Sequence, residues 1–212
     1  KVCVKKIYES KDGKVVLENV DLNPLEVKPK PTHKNSLKVF AYGSLMYEPI
    51  SSDDICNEGK AFINGISRNL NMQSKSRGHL VFGTVPYGRM EGTLYEYPIE
   101  KTEEILKELD KREGFNGTST SMYLRRTLTA FTKENPDGVS CIVYITNEES
   151  DQYQGSFEKQ EIAELLLENP DFDEYFYGTS IALDAINGQD KYLNRLKDEH
   201  WPKKMESLKK KD

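Results

Sequence analysis

The chain has 212 residues, 36% of them hydrophobic and 31% charged, and 30 Lys and Arg set against 35 Asp and Glu leave a formal net charge of −5. That length suits one domain with appendages rather than two large domains, and it is long enough to bury a genuine core. A mildly acidic chain lacks the dominant basic face that neutralises phosphates, which excludes nucleic acid as the default partner.

Residues 1–22 predict a hairpin around Ser10-Lys11-Asp12-Gly13, because Asp-Gly accepts the positive φ of a tight turn and Val15, Val16 and Leu17 favour strand. Alternating Pro and charge at Lys28-Pro29-Lys30-Pro31 predicts an extended linker that completes an N-terminal extension over 1–35. The main domain is expected over 36–200, followed by a charged tail over 201–212. The start, Lys1-Val2-Cys3-Val4-Lys5-Lys6, lacks the apolar core of a signal peptide. No apolar run approaches the roughly 18 to 20 residues that span a bilayer, so no membrane partner is expected. Cys3, Cys56 and Cys141 are odd in number and widely separated, which suits free thiols in a reducing compartment and points to the cytoplasm.

Within the main domain, β-branched and aromatic runs bounded by Gly, Pro or Asn predict strands at 37–42, 61–72, 78–85, 90–97, 122–132 and 140–146. Helices are expected at 102–113, at 156–167 and over 173–197, the last interrupted at Asn187-Gly188. Strands grouped early and helices grouped late predict an α+β fold. Its sheet should be mixed, mostly antiparallel, and able to close into a small β-barrel with flanking helices. The acidic stretch 148–174 reads as a solvated face, and the lysine-rich stretch 203–211 as a frayed end.

Few residues are placed for chemistry. His33, His79 and His200 are far apart, no CxxC or HExxH occurs, and no metal is expected. GxSxG, P-loop and dinucleotide fingerprints are also missing, which argues against nucleophile-elbow hydrolysis, nucleotide hydrolysis and hydride transfer. A loop and a carboxylate remain. At Tyr42-Gly43-Ser44-Leu45 an apolar strand runs into Gly-Ser, where following N–H groups can cradle a carboxylate; the alternative is a plain strand-ending turn. In the helix over 102–113, Ile105, Leu109 and Glu113 lie at i, i+4 and i+8, so an acid continues the apolar stripe just before a Gly114 cap. Desolvation and the negative helix end would raise its pKa into the range of a general acid and base. The alternative is that Glu113 turns outward or pairs with Arg112 or Arg125. Glu108 and Arg112 are expected to form an i,i+4 surface pair.

Taken in order, Tyr42-Gly43-Ser44-Leu45 with Pro49 beyond it, a Gly-rich strand pair, Leu109-Asp110-Lys111-Arg112-Glu113-Gly114-Phe115 and Ser121-Met122-Tyr123 resemble the γ-glutamylcyclotransferase-like superfamily over roughly 37–196. Tyr-Gly-Ser-Leu-Met and the Arg112-Glu113 pair are similar to its ChaC-type branch, although Tyr47 stands where that branch usually has Trp. Glu113-Gly114-Phe115 leading into Met122-Tyr123 is similar to the other main branch, which acts on γ-glutamyl amino acids. The resemblance implies a small mixed barrel with a cofactor-free site at one mouth. Glu113 would be the general acid and base, and Tyr42, Gly43, Ser44 and Leu45 would hold the α-carboxylate of a small-molecule γ-glutamyl substrate. Tyr123 would add a pocket hydroxyl. Tyr144 is a weaker candidate with an equal claim to strand-face packing, while Arg77, Gly78 and Arg89 echo ChaC-type positions at different spacing and carry no assigned role.

The activity implied is cyclisation of the γ-glutamyl group of an amino acid, amine or glutathione to 5-oxoproline. The developing oxyanion would be held by backbone N–H groups or by Tyr123. A homodimer stays open, and the rival reading is a non-catalytic ligand-binding or interaction protein of the same fold.

Overall fold

The computed structural model describes residues 35–209 and, nearer the N-terminus, two short strands, β1 (Ser10–Lys11) and β2 (Lys14–Val15). The chain divides into two units, Lys1–Pro31 and Thr32–Asp212. In the first, β1 and β2 pair antiparallel with Lys11 opposite Lys14, on either side of Asp12-Gly13. The remainder of the expected hairpin and the Pro/Lys linker lie outside the described residues.

The second unit is α+β. Its sheet contains β3 (Ser36–Ala41), β4 (Asn57–Gln73), β5 (Leu80–Pro98), β6 (Tyr123–Ala130) and β7 (Val139–Thr146), in the order β4-β5-β3-β7-β6. Only the β3–β7 pairing is parallel; the other neighbours run antiparallel. The sheet curls until its two edge strands meet at one point. There Phe62 on β4 and Phe131, just past β6, exchange both backbone hydrogen bonds at 3.0 and 2.8 Å, and their rings stack at 5.3 Å. Closure of the barrel is thus a single residue pair.

Four helices flank the sheet: α1 (Thr102–Arg112), α2 (Lys159–Glu168), α3 (Pro170–Ala185) and α4 (Lys191–Lys209). Asn169 caps α3 by accepting from the Phe172 N–H, and Pro170 occupies the first turn, where a missing N–H does no harm. The buried face of α3 lays Phe172, Tyr175 and Phe176 against His79 and Phe82 at the start of β5. Gly92 fixes how closely β3 and β5 approach, since a Cβ there would stand 2.2 Å from the Ala41 carbonyl oxygen. Among the described residues no helix is long and apolar enough to cross a membrane.

Two expectations about the elements are corrected. The strands expected at 78–85 and 90–97 are one continuous β5. Tyr87 and Gly88, both at positive φ, form a bulge opposite Gly65 of β4, so the ladder steps from Asn64↔Arg89 to Ile66↔Pro86 without a turn. The stretch from Lys203 read as a frayed end is helical through Lys209. It is tied down where Lys204 reaches Asp173 of α3 at 2.5 Å and where His200 is fully buried. The break at Asn187-Gly188 falls as expected between α3 and α4, with Asn187 at φ 52.

Candidate active site

Glu113 reaches its position because α1 ends there. Ile105 and Leu109 are buried at 0% and 1% exposure, and the next residue on that stripe is the C-cap Glu113, whose N–H still reaches the Leu109 carbonyl. Gly114 then takes φ 61, and the Phe115 N–H returns to the Asp110 carbonyl at 2.8 Å, a glycine-dependent stop that turns the chain off the helix. The carboxyl therefore points inward, with its side chain 17% exposed. Burial pushes its pKa up to about 7 against the downward pull of Arg112 and Arg77. Its ion pair with Arg112 Nε is long, at 3.8 Å. Arg125 lies elsewhere, donating to Asp110 at 2.6 Å.

The loop after β3 faces this acid. Met46 donates to the Gly43 carbonyl, while Tyr47 and Glu48 donate to that of Ser44, closing a tight turn over Ser44–Met46. The N–H groups of Ser44 and Leu45 head that turn with no acceptor inside it. Two arginines brace the loop. Arg68, fully buried on β4, donates through Nε to the Tyr42 carbonyl at 2.6 Å, through Nη2 to the Glu91 carbonyl at 2.8 Å, and pairs through Nη1 with Asp190. Arg112 donates to the Glu48 carbonyl at 2.6 Å and to Ser44 Oγ at 3.1 Å. The expected Glu108–Arg112 pair is not made. Arg112 is drawn to the loop, and Glu108 accepts from Ser51 at 2.9 Å instead.

Loop and acid line one cavity of about 360 Å³. Tyr42, Gly43, Ser44, Leu45, Glu113, Tyr123 and Tyr144 are all on its wall, so the residues singled out from sequence converge. Their hydroxyls differ in use. Tyr42 donates to the Tyr144 carbonyl at 2.6 Å, Tyr123 to the Phe82 carbonyl at 2.6 Å, and Tyr144 to Asp110 Oδ1 at 2.6 Å. Burial raises the pKa of all three phenols. Tyr42 and Tyr123 thus present rings, and their protons are already committed to the backbone. Among the described residues no group of three His, Cys, Asp or Glu side chains is placed to hold a metal ion.

Residues 37–199 match the family model for ChaC-like proteins. The chain belongs to the ChaC-like family. No curated protein matches its sequence. Among solved structures, it is similar to a yeast γ-glutamyl cyclotransferase specific to glutathione, with a TM-score of 0.66 at 18% identity over 78% of this chain and 96% of that one. An uncharacterized protein from Homo sapiens matches with a TM-score of 0.52 at 15% identity, over 77% of this chain and 88% of the other. At such identities these likenesses are of fold.

The ChaC-like site also contains residues to which sequence reading gave no role. Arg77, in the turn between β4 and β5, lines the cavity and reaches Glu48 at 3.3 Å. Its echo of the ChaC-type pattern was the available signal. Lys75, Lys111 and Arg112 join it on the wall, where Glu113 is the one acidic residue among the described lining; Lys75 is paired with Asp151 at 2.7 Å, and Arg77 and Arg112 share Glu48 at 3.3 and 3.4 Å. Tyr175 of α3 completes the wall. An aromatic residue in a helix so far along the chain reads as core, and no local pattern marks it.

Proposed function

We propose that this ChaC-like protein is a γ-glutamyl cyclotransferase that converts glutathione to 5-oxoproline and the released dipeptide. The observation that carries the reading is Glu113, a carboxyl held near pKa 7 by burial and facing the 42–45 loop across one cavity. A γ-glutamyl compound brings its own nucleophile, since its α-amine reaches the γ-carbonyl by closing a five-membered ring, which needs positioning more than an enzyme nucleophile. The Ser44 and Leu45 N–H groups receive the α-carboxylate. Ionised Glu113 takes a proton from the α-ammonium. The amine then attacks the γ-carbonyl carbon, a new C–N bond forms, the original amide C–N bond breaks, and Glu113 returns the proton to the leaving amine.

The substrate class follows from charge. Lys111, together with Arg77 and Arg112, which share the single carboxylate of Glu48, leaves surplus positive charge on the wall that suits a second carboxylate beyond the γ-glutamyl group. Glutathione and γ-glutamyl amino acids have one and a γ-glutamyl amine does not; between the first two, the reading follows the yeast protein of similar fold, which is specific to glutathione. A cytoplasmic location belongs to the same reading, because Cys56 and Cys141 are free thiols, the state a reducing compartment preserves. The test is mass-spectrometric detection of 5-oxoproline from purified protein given glutathione, γ-glutamyl amino acids and γ-glutamyl amines in turn. Glutathione should be turned over fastest, and Glu113→Gln should fold normally with turnover lowered by about 10²-fold or more. Full turnover by the variant would remove Glu113 from the mechanism.

A further inference from the structure

Four tyrosines line the cavity, and three of them have placed their protons: Tyr42 on the Tyr144 carbonyl, Tyr123 on the Phe82 carbonyl and Tyr144 on Asp110. Tyr175 is arranged the other way round. Its hydroxyl oxygen accepts the Phe82 N–H at 2.9 Å, and among the described residues its own proton has no acceptor. The ring is 5% exposed and fixed on three sides, stacked on Phe82 at 5.4 Å, tilted against His79 at 5.2 Å and covered by the Arg77 guanidinium at 5.5 Å. The oxygen lies 3.4 Å from where a Gly43 Cβ would stand, beside the carboxylate cradle. Tyr175 and Glu113 line the same cavity.

The reaction proposed above leaves one charge without a partner. As the α-amine attacks, the γ-carbonyl double bond opens and its electron pair moves onto oxygen; when the amide C–N bond breaks, that pair returns. A fixed donor at this oxygen lowers the barrier, because its dipole is already aimed where charge develops. The α-carboxylate has backbone N–H groups at the loop, and the distal carboxylate has the cationic wall. We infer that Tyr175 is a catalytic residue, donating its hydroxyl proton as a hydrogen bond to the γ-carbonyl oxygen; the inference rests on the cyclotransferase reading. Burial keeps this phenol protonated throughout the range in which Glu113 titrates, so it acts as a donor and transfers no proton.

Tyr192 supplies the control. Its hydroxyl accepts the Leu70 N–H at 2.9 Å, and Leu70 is the cross-strand partner of Phe82, so Tyr192→Phe orphans the same kind of backbone donor away from the cavity. Steady-state kinetics and thermal unfolding should be measured for the wild type, Tyr175→Phe and Tyr192→Phe. Tyr175→Phe is expected to lose roughly 10²- to 10³-fold in kcat with KM nearly unchanged, the scale of one oxyanion donor. Tyr192→Phe should lose comparable thermal stability and keep its kcat.

Retained kcat in Tyr175→Phe overturns the inference, as does a raised KM at full kcat, which would place the hydroxyl on a carboxylate. An equal fall in kcat for Tyr192→Phe would reduce Tyr175 to a structural role. If Tyr175→Phe does not fold, a fluorinated tyrosine at 175 keeps the oxygen as acceptor for Phe82 while making the phenol more acidic. The more acidic phenol is a stronger donor, so kcat should change stepwise along a series of increasing fluorination while KM holds, and an unchanged kcat across the series would overturn the proposal. Absence of 5-oxoproline from the wild type with any γ-glutamyl compound removes the cyclotransferase reading itself, a result distinct from an active enzyme indifferent to Tyr175.

Discussion

Glu113 shows how one acid at the end of a helix comes to face a cavity. The positions Ile105 and Leu109 set a buried stripe, and the helix period delivers the acid to the same side. Its pKa of about 7 against an ordinary 4.5 has a consequence for folding as well as for rate. Between those values the folded protein holds a proton that the unfolded chain releases, so stability falls as pH rises through this window. The full difference is about 3 kcal/mol. Chemical denaturation should therefore find Glu113→Gln more stable than the wild type by about that amount near pH 8, with the gap closing below about pH 4. A gap independent of pH would show that the carboxyl is not held neutral by its surroundings. The helical stripe made this residue visible in sequence. The sequence did not decide between an inward carboxyl and pairing with Arg112 or Arg125, because that choice depends on Glu48, Ser44 and Asp110, which capture those arginines.

Elements carry the loop. Arg68 is an arginine buried in the middle of β4, and among the described residues its ion-pair partner is Asp190 at the head of α4. Asp190 Oδ1 also accepts the N–H groups of Tyr192 and Leu193, both at 2.9 Å, so the same carboxylate caps the helix. A strand, the 42–45 loop and the last helix are thus joined through one guanidinium. Arg68→Met is expected to cost about 3 to 5 kcal/mol in chemical denaturation, because it leaves Asp190 buried without a counter-charge. A loss under about 1 kcal/mol would remove Arg68 from the support of the loop. Nothing in a single sequence distinguishes this arginine from surface ones, since its partner is supplied from the far end of the chain. The bulge at Tyr87-Gly88 was hidden for a related reason. Turn-like residues end a strand locally, yet here Gly65 across the ladder absorbs the irregularity and the pairing resumes.

For the whole molecule, the sheet order brings the first strand of the domain to its centre, between β5 and β7, so the loop leaving β3 opens beside both. Meeting of the sheet edges at Phe62 and Phe131 curls the remaining strands around that point. The family match spans 37–199, and the fold and the cavity are built from the unit Thr32–Asp212. We therefore propose that the N-terminal extension is dispensable for the reaction. Protein lacking residues 1–34 should keep its circular-dichroism spectrum and its turnover of glutathione within about twofold, because the family match and the residues lining the cavity all lie beyond residue 36. Loss of cooperative unfolding on deletion would make the extension part of the folded enzyme.

By itself the sequence determined the α+β class, the position of most elements, the 42–45 loop and the acid at 113. These are legible because they follow from local rules: strand composition, a helical period of about 3.6 residues and glycine at a helix end. Only the tertiary structure decided which side chains surround the acid. The hydroxyl of Tyr175, the guanidinium of Arg77 and the support from Arg68 come from segments distant in the chain. Their roles depend on hydrogen-bond partners such as Phe82 and Asp190 that exist only once the sheet has curled and α3 and α4 have packed against it.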